Sequence, residues 1–180
     1  MSSLRLFLLV AVVGFVLGTS LAWLNRSAGD RLPEPGSSGA SVGDPAPGFR
    51  HRNLAGEWVD SAAFLGERAL LVNFWATWCA PCRREMPLLQ ATHLSDDRAP
   101  RVVGIALDDP QPVSAFIDEF GITYPILVGR EDVMDTQRLW GNSAGVLPFT
   151  VLVDIDGVVR WQHYGEVTAR ELGDALQLLD

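Results

Sequence analysis

The chain has 180 residues, about the length of one domain, of which 48% are hydrophobic and 20% are charged, so an intrinsically disordered chain is excluded. Its 14 basic and 22 acidic residues give a net charge of −8, which argues against a nucleic-acid-binding protein that neutralises phosphates. Every basic residue is Arg, and the absence of Lys excludes Schiff-base chemistry and a phosphate-binding loop that ends in Lys.

The N-terminal part has the pattern of a membrane anchor. A short n-region, residues 1–5, precedes 19 mostly apolar and uncharged residues, 6–24. At about 1.5 Å per residue, a helix of this length spans roughly 28 Å, which is close to the hydrocarbon thickness of a bilayer. We therefore predict an uncleaved transmembrane signal anchor. A cleavable signal peptide is the alternative, because Ser20-Leu21-Ala22 resembles a cleavage site.

A linker and one acidic domain are expected to follow the anchor. Residues 25–43 are rich in Pro, Gly and Ser and contain little that could be buried, so they are predicted to form the linker. Residues 44–180 are predicted to form the domain. Arg residues flank the anchor on both sides, so the positive-inside rule barely discriminates between the two orientations.

The first half of the domain alternates buried strands with a helix. Residues 69–75 form an almost unbroken apolar run, which is typical of a strand buried on both faces. The next segment, to about residue 93, has helical composition, with Pro81 near its start and Pro87 as a source of a kink. Residues 101–107 are predicted to form a second buried strand.

The second half adds a helix, three strands and a final helix. The helix is expected at residues 113–120. The three strands are expected at residues 124–128, 149–153 and 158–163. Gly121 ends the helix, the turn at 154–157 makes the last two strands a hairpin, and Thr168 caps the final helix. These units predict an α/β fold with a mixed sheet covered on both faces. Three Trp side chains are expected in the core: Trp58, Trp140 and Trp161.

Two cysteines carry the chemistry that this sequence suggests. Cys79 and Cys82 are the only ones, which excludes a framework of several disulfides and a four-Cys zinc site. They lie where a strand passes into a helix, and the free N–H groups and dipole of a helix N-terminus stabilise a thiolate. Cys82, one turn further and less exposed, is placed to attack a mixed disulfide formed on Cys79.

Two other interpretations of the pair are a static disulfide and half of a metal site. A bridge that closes so short a loop contributes only roughly 2 kcal/mol in the chain-entropy model, which makes it a poor staple. A metal site would need histidines, and none of His51, His93 and His163 has ligand-like spacing to the cysteines or to another His.

The segment around the cysteines resembles the active-site strand and helix of the thioredoxin superfamily, on the residues Val72-Asn-Phe-Trp-Ala-Thr-Trp-Cys-Ala-Pro-Cys-Arg-Arg-Glu-Met-Pro87. The chain is most similar to the membrane-anchored TlpA/ResA-like thiol–disulfide oxidoreductases, over about residues 43–180. Gly43-Asp-Pro-Ala-Pro47 resembles the entry segment of that family, and Gly145-Val-Leu-Pro-Phe-Thr-Val-Leu-Val-Asp154 resembles its later motif. The resemblance implies a thioredoxin-like three-layer fold with a mixed central sheet, and no cofactor.

The resemblance also implies a substrate surface beside the cysteines. Pro148 matches the cis-proline of the family, which faces the Cys pair and helps to bind an extended substrate segment. Leu147 would then offer its backbone groups to the substrate. The other predicted substrate contacts are Trp78, Ala80 and Pro81.

Two further positions concern proton transfer. Asn73 stands where thioredoxin has a buried Asp, so it cannot accept a proton from Cys82. Glu85 matches an acid that ResA-like proteins carry near the pair, and we predict it as a catalytic residue that tunes the cysteine pKa values and relays a proton. A solvated helix carboxylate near Arg83 or Arg84 is the alternative interpretation.

The resemblance implies an enzyme, a protein-disulfide reductase held by a single span in the cytoplasmic membrane, with its domain facing the periplasm or exterior. Its clients would be protein disulfides, such as those of apocytochrome c or copper-site proteins, and a membrane thiol donor of the DsbD type would re-reduce it. The cytochrome-maturation branch often has Glu after the cis-proline. This chain has Phe149 there, which weakens that assignment.

Three other functions stay open. An oxidase would share the motif, but residues 103–149 leave no room for the long helical insertion usual in disulfide-forming relatives. A thiol peroxidase of the redoxin class would need a Thr three residues before the Cys, whereas Thr77 stands two residues before Cys79. A Cu(I)-binding metallochaperone would use both thiols together with His93 or His163.

Overall fold

A seven-stranded mixed sheet forms the centre of the computed structural model, which describes residues 39–96 and 98–179. The strands in chain order are β1 (Arg50–Asn53), β2 (Trp58–Asp60), β3 (Leu70–Trp75), β4 (Arg101–Leu107), β5 (Ile126–Gly129), β6 (Phe149–Val153) and β7 (Val159–Tyr164). Across the sheet their order is β2-β1-β5-β4-β3-β6-β7. The helices are α1 (Ala80–His93), α2 (Pro110–Phe120), α3 (Glu131–Leu139) and α4 (Ala169–Leu176).

Strand β3 lies between a parallel and an antiparallel neighbour. It pairs with β4 in parallel and with β6 in antiparallel register, so that Val72 faces Val103 on one side and Val151 on the other. All six of its residues are buried, as the unbroken apolar run predicts. The predicted mixed sheet is therefore confirmed, with β3 next to its centre.

Helices cover both faces of this sheet. Alternate side chains of β3 point to opposite sides, so Leu71 and Trp75 join one core while Val72 and Phe74 join the other. Helices α1, α2 and α4 contribute buried side chains to the first core: Met86, Leu89, Val113, Phe116, Leu172 and Ala175. Helix α3 contributes Val133 to the second core. The structure is thus the three-layer α/β arrangement that the thioredoxin-like resemblance implies.

Most of the predicted elements occur with small changes in their bounds. Helix α2 begins at Pro110, earlier than expected, because the fixed φ of Pro is compatible with the first positions of a helix. It ends at Gly121, whose left-handed φ of 64° agrees with the expected stop. Pro87 lies inside α1, which continues to His93. Thr168 caps α4 in a capping box with Glu171.

Three elements were not predicted, namely β1, β2 and α3. Strand β1 is short and polar, β2 has only three residues, and the two pair with each other at the edge of the sheet. Trp58 lies on β2 with 51% of its surface exposed, so its expected place in the core is wrong. The guanidinium groups of Arg50 and Arg52 lie over its ring, 5.2 and 4.3 Å from the ring centroid. The Trp58 ring therefore packs against these two side chains at the surface and not in the core.

The folded domain begins before the predicted boundary at residue 44. Ala40 N–H donates to the carbonyl of Leu139 at 2.8 Å, and Gly43 N–H donates to the carbonyl of Val159 at 2.8 Å. The end of the predicted linker is thus attached to the domain.

Among residues 39–96 and 98–179, no helix has the length and apolar character needed to cross a membrane. The predicted span, 6–24, lies outside the described residues.

We expect Thr168→Ala to lower the free energy of unfolding by about 1 kcal/mol, because the hydroxyl accepts the N–H of Glu171 at the start of α4. Thr168→Ser keeps that acceptor and is the matched control. Urea unfolding followed by circular dichroism measures both variants. An equal loss in the two variants would show that the methyl group, and not the cap, carries the effect.

Candidate active site

The two cysteines lie at the start of α1 and are joined in a disulfide. Cys79 is the N-cap of the helix, and its sulfur accepts the N–H of Cys82 at 3.3 Å. Cys79 is 6% exposed, whereas Cys82 is fully buried. Of the two residues, only Cys79 has any exposed surface, so a second molecule would meet the pair on the Cys79 side.

The loop between β3 and α1 is held by a carboxylate that follows the neighbouring strand. Asp108 Oδ2 accepts two hydrogen bonds from Thr77, one from the backbone N–H at 3.2 Å and one from the hydroxyl at 2.5 Å. Asp108 Oδ1 accepts the N–H of Asp109 at 2.9 Å. Asp108 was not predicted as part of the site. Its position directly after a strand parallel to β3 was the signal, since such strands end at the same edge of a sheet.

The Leu147–Pro148 peptide bond is cis, as the resemblance implies. Phe149 pairs with Phe74 in the β3–β6 ladder, so Pro148 lies beside the end of β3, from which the Cys loop departs. Pro148 is buried and its carbonyl accepts the N–H of Gly165 at 2.8 Å. None of the hydrogen bonds among the described residues involves the backbone of Leu147.

The remaining predicted substrate contacts differ in exposure. Trp78 precedes Cys79 and is 67% exposed, while Trp75, at the end of β3, is completely buried. Ala80 is exposed and Pro81 is half-buried at the start of α1. Trp75 thus belongs to the core, and Trp78 is the one of the two that a substrate could contact.

Glu85 lies in the interior with 2% of its surface exposed, so the alternative of a solvated helix carboxylate is wrong. Its Oε1 accepts the amide of Asn73 at 2.7 Å, and its Oε2 accepts the N–H of Val167 at 2.8 Å. Burial raises the pKa of Glu85 to about 7; the bonds from Val167 and Asn73 counteract this rise, and the Glu166 carboxylate adds to it. Cys82 and Glu85 are three residues apart, which places them on the same face of α1.

Asn73 connects this acid to the sheet. Its Nδ2 also donates to the Thr150 hydroxyl at 3.0 Å, while its buried Oδ1 has no hydrogen-bond partner in the described part of the chain. Rotation of the amide by 180° would present Oδ1 to a protonated Glu85. Asn73 can therefore hydrogen-bond with Glu85 in either protonation state of the acid.

The three histidines lie in separate places. His51 is buried between Asp132 and Thr136, His93 packs against Tyr124, and His163 lies 3.2 Å from the carbonyl of Glu166. Within residues 39–96 and 98–179, no group of three or more His, Cys, Asp and Glu side chains could hold a metal ion.

The three-layer fold, the Cys-x-x-Cys pair at a helix N-terminus and the adjacent cis-proline define a thioredoxin-like protein. Residues 42–162 match the model of the AhpC/TSA family, and the chain belongs to that family.

Similar proteins agree with this assignment. The chain is 32% identical to the thioredoxin-like protein YneN of Bacillus subtilis (strain 168), over 78% of this chain and 81% of that protein. It is 28% identical to the thiol-disulfide oxidoreductase ResA of Geobacillus kaustophilus (strain HTA426), over 93% of this chain and 87% of that protein. The crystal structure of a Chlorobium tepidum protein that is assigned as a thiol:disulfide interchange protein DsbE superposes with a TM-score of 0.65 and 27% identity, over 78% of this chain and 99% of that one.

The raised pKa of Glu85 links stability to pH. An unfolded Glu titrates at about 4.3, so between about pH 4 and pH 7 the folded state holds a proton that the unfolded state has lost. The contribution of Glu85 to the free energy of unfolding is therefore complete below about pH 4. It decreases by on the order of 3 kcal/mol as the pH rises to about 7.

We expect Glu85→Gln, which does not titrate, to remove this part of the pH dependence. The free energy of unfolding should then decrease less between pH 4.5 and pH 7.5 in the variant than in the wild type, as measured by urea unfolding. Glu119→Gln, at an exposed position of α2, is the matched control and should keep the slope of the wild type. Equal slopes for the wild type and Glu85→Gln would contradict the raised pKa.

Proposed function

We propose that the protein is a membrane-tethered, extracytoplasmic thiol–disulfide oxidoreductase that reduces protein disulfides through Cys79 and Cys82. The observation that carries this proposal is the asymmetry of the pair: Cys79, at a helix N-terminus, keeps a small exposed surface, and Cys82, one turn further on, is completely buried. The names of ResA and DsbE among the similar proteins support the same activity.

In the reduced protein, Cys79 is the nucleophile. Its thiolate attacks one sulfur of a client disulfide, the client S–S bond breaks, and the released client thiolate takes up a proton. Cys82 then loses its proton and attacks the mixed disulfide at Cys79. The Cys79–Cys82 bond forms, and the client leaves with two electrons more than it brought. The Cys82 N–H that reaches the Cys79 sulfur at 3.3 Å stabilises the thiolate that starts this sequence.

Glu85 is the acid–base group of the second step. A carboxylate with a pKa of about 7 is close to the pH at which proton transfer is most efficient, and Glu85 shares a helix face with Cys82. In this role it accepts the Cys82 proton when the mixed disulfide is resolved and returns it when the pair is reduced again. Asn73 keeps a hydrogen bond to Glu85 throughout the cycle.

The client binds across Trp78 and the cis-proline. Trp78 and Ala80 offer exposed surface on either side of Cys79, and Pro81 continues that surface. Leu147 N–H makes no hydrogen bond to the described residues and can pair with the backbone of an extended client segment, next to Pro148.

The proposed location is the cytoplasmic membrane, with residues 6–24 as a single-span anchor and the domain facing the periplasm or exterior. A reductase in an oxidising compartment must be selective, and tethering raises its effective concentration at membrane-linked clients. Clients would be apocytochrome c or copper-site proteins, and a membrane thiol donor of the DsbD type would restore the dithiol.

The hydrogen bond of the Thr77 hydroxyl bears on the alternative of a thiol peroxidase. A redoxin-type peroxide pocket uses a Thr hydroxyl close to the reactive Cys. Here the Thr77 hydroxyl donates to Asp108 at 2.5 Å, which commits its hydrogen to the loop. The geometry therefore supports disulfide exchange over peroxide reduction.

We expect Cys82→Ser, expressed as the full chain in the native host, to accumulate mixed disulfides with its clients, because the resolving sulfur is missing. Cys79→Ser is the matched control and should trap nothing, since its remaining sulfur is buried. Nonreducing gels and mass spectrometry identify the trapped species. The reductase proposal fails if nothing is trapped on Cys79 and the reduced wild type does not reduce the disulfides of insulin.

We expect Glu85→Gln to change the pKa of the Cys82 thiol and to slow resolution above pH 7 by on the order of a hundredfold, at the lower end of what a positioned acid–base group contributes. Glu119→Gln, which removes an exposed acid of α2, should keep a profile close to that of the wild type. Thiol titration by alkylation and single-turnover kinetics between pH 5 and pH 9 measure these effects. Unchanged thiol pKa values and an unchanged profile would remove Glu85 from the mechanism.

A further inference from the structure

We propose that Asn142 is a positioning residue that directs the Leu147 N–H towards the client, by holding the preceding residue, Val146, from inside the domain. This inference rests on the proposed function, because Leu147 and Pro148 belong to the proposed client surface.

The Asn142 side chain is completely buried behind the loop of residues 143–147. Its Oδ1 accepts the N–H of Val146 at 3.0 Å, and its Nδ2 donates to the carbonyl of Val146 at 2.8 Å. Nδ2 also donates to Oε1 of Gln137, a buried side chain of α3, at 2.8 Å. Both polar atoms of the amide are therefore used, and both backbone groups of Val146 are held by one side chain that α3 supports.

Little else restrains this loop. Residues 143–146 are all exposed, and residues 142–145 line a cavity of about 120 Å³ together with Met134 and Arg138 of α3. Within the loop there is one further hydrogen bond, in which Gly145 N–H donates to the Asn142 carbonyl at 3.3 Å. The conformation of residues 143–146 thus depends on Asn142 more than on packing, whereas the Leu147 side chain packs against both cores.

The geometry of the peptide group carries the effect to Leu147. The Val146 carbonyl and the Leu147 N–H belong to one planar trans peptide group, in which the two bonds point in opposite directions. Because Asn142 holds the carbonyl towards the interior, the N–H must point away from it. This is the N–H that makes no hydrogen bond to the described residues. Asn142 thereby pre-orients a donor for the client backbone and reduces the ordering that binding requires.

The test separates client binding from thiol chemistry. Asn142→Leu removes both bonds at similar volume. Asn142→Asp keeps an acceptor for the Val146 N–H but replaces the donor to the carbonyl. The wild type and both variants are assayed with insulin, for kcat and KM, and with oxidised glutathione, a small disulfide that needs little of the loop. Hydrogen exchange of the Val146 amide, followed by NMR, reports on the clamp directly.

We expect KM for insulin to rise about fivefold in both variants, the change that corresponds to one lost hydrogen bond, while kcat and the glutathione rate stay within about twofold. The Val146 amide should exchange faster in Asn142→Leu and remain protected in Asn142→Asp. Asp154→Ala is the matched control, because Asp154 Oδ1 accepts the N–H groups of Asp156 and Val158 in the turn at the far end of β6. It should lower stability without changing KM.

An unchanged KM in Asn142→Leu, with faster exchange of the Val146 amide, would overturn this inference. Parallel losses with insulin and glutathione, or an equal rise of KM in Asp154→Ala, would overturn it as well, since either result indicates general destabilisation. These outcomes differ from a failure of the proposed function, in which the wild type itself does not reduce insulin.

Discussion

The pairing of β3 with β4 on one side and β6 on the other is the interaction on which the site depends. Each of the three strands brings one part of the site to the same edge of the sheet. The Cys loop follows β3, Asp108 follows β4, and Pro148 precedes β6. The residue register of these ladders therefore sets where the disulfide, its supporting carboxylate and the cis-proline lie relative to one another. A shift by one residue would turn the buried faces of β3 over and separate the three parts.

Glu85 is a polar group that the core accepts at a cost. Burying a carboxyl is costly, and two donors, from Asn73 and Val167, reduce that cost without removing it. The result is a group that titrates close to neutral pH instead of one that stays ionised. A Leu or Met at position 85 would be expected to pack with less cost. The retained acid is therefore best explained by chemistry.

The sequence predicted the main strands, the helix of the Cys pair, the cap at Thr168 and the cis-proline, because each has a strong local signal or a specific motif. Strands β1 and β2 lacked such a signal, since β1 alternates charged and polar residues, β2 is only three residues long, and the two acquire their pairing only near the sheet edge. The contacts of Glu85 were also beyond local reasoning. Val167 lies 82 residues away along the chain, and only the packing of the segment before α4 against α1 brings its N–H to the carboxyl. Asn142 was missed for the same reason, because a polar residue in a Gly-rich loop usually indicates a turn at the surface.

The burial of Cys82 has a consequence for the order of electron transfer. In the proposed function a client takes electrons from this pair and a donor returns them, and both would have to react at the same residue, Cys79, beside the exposed Trp78. The two partners cannot then be bound in productive positions together. Turnover must alternate between them, as in a ping-pong scheme, and each partner in excess would competitively inhibit the half-reaction of the other. A protein with one entrance for two partners also needs the two to offer similar chemistry at their contact surfaces, so the donor is expected to imitate the client in the backbone that it presents to Leu147.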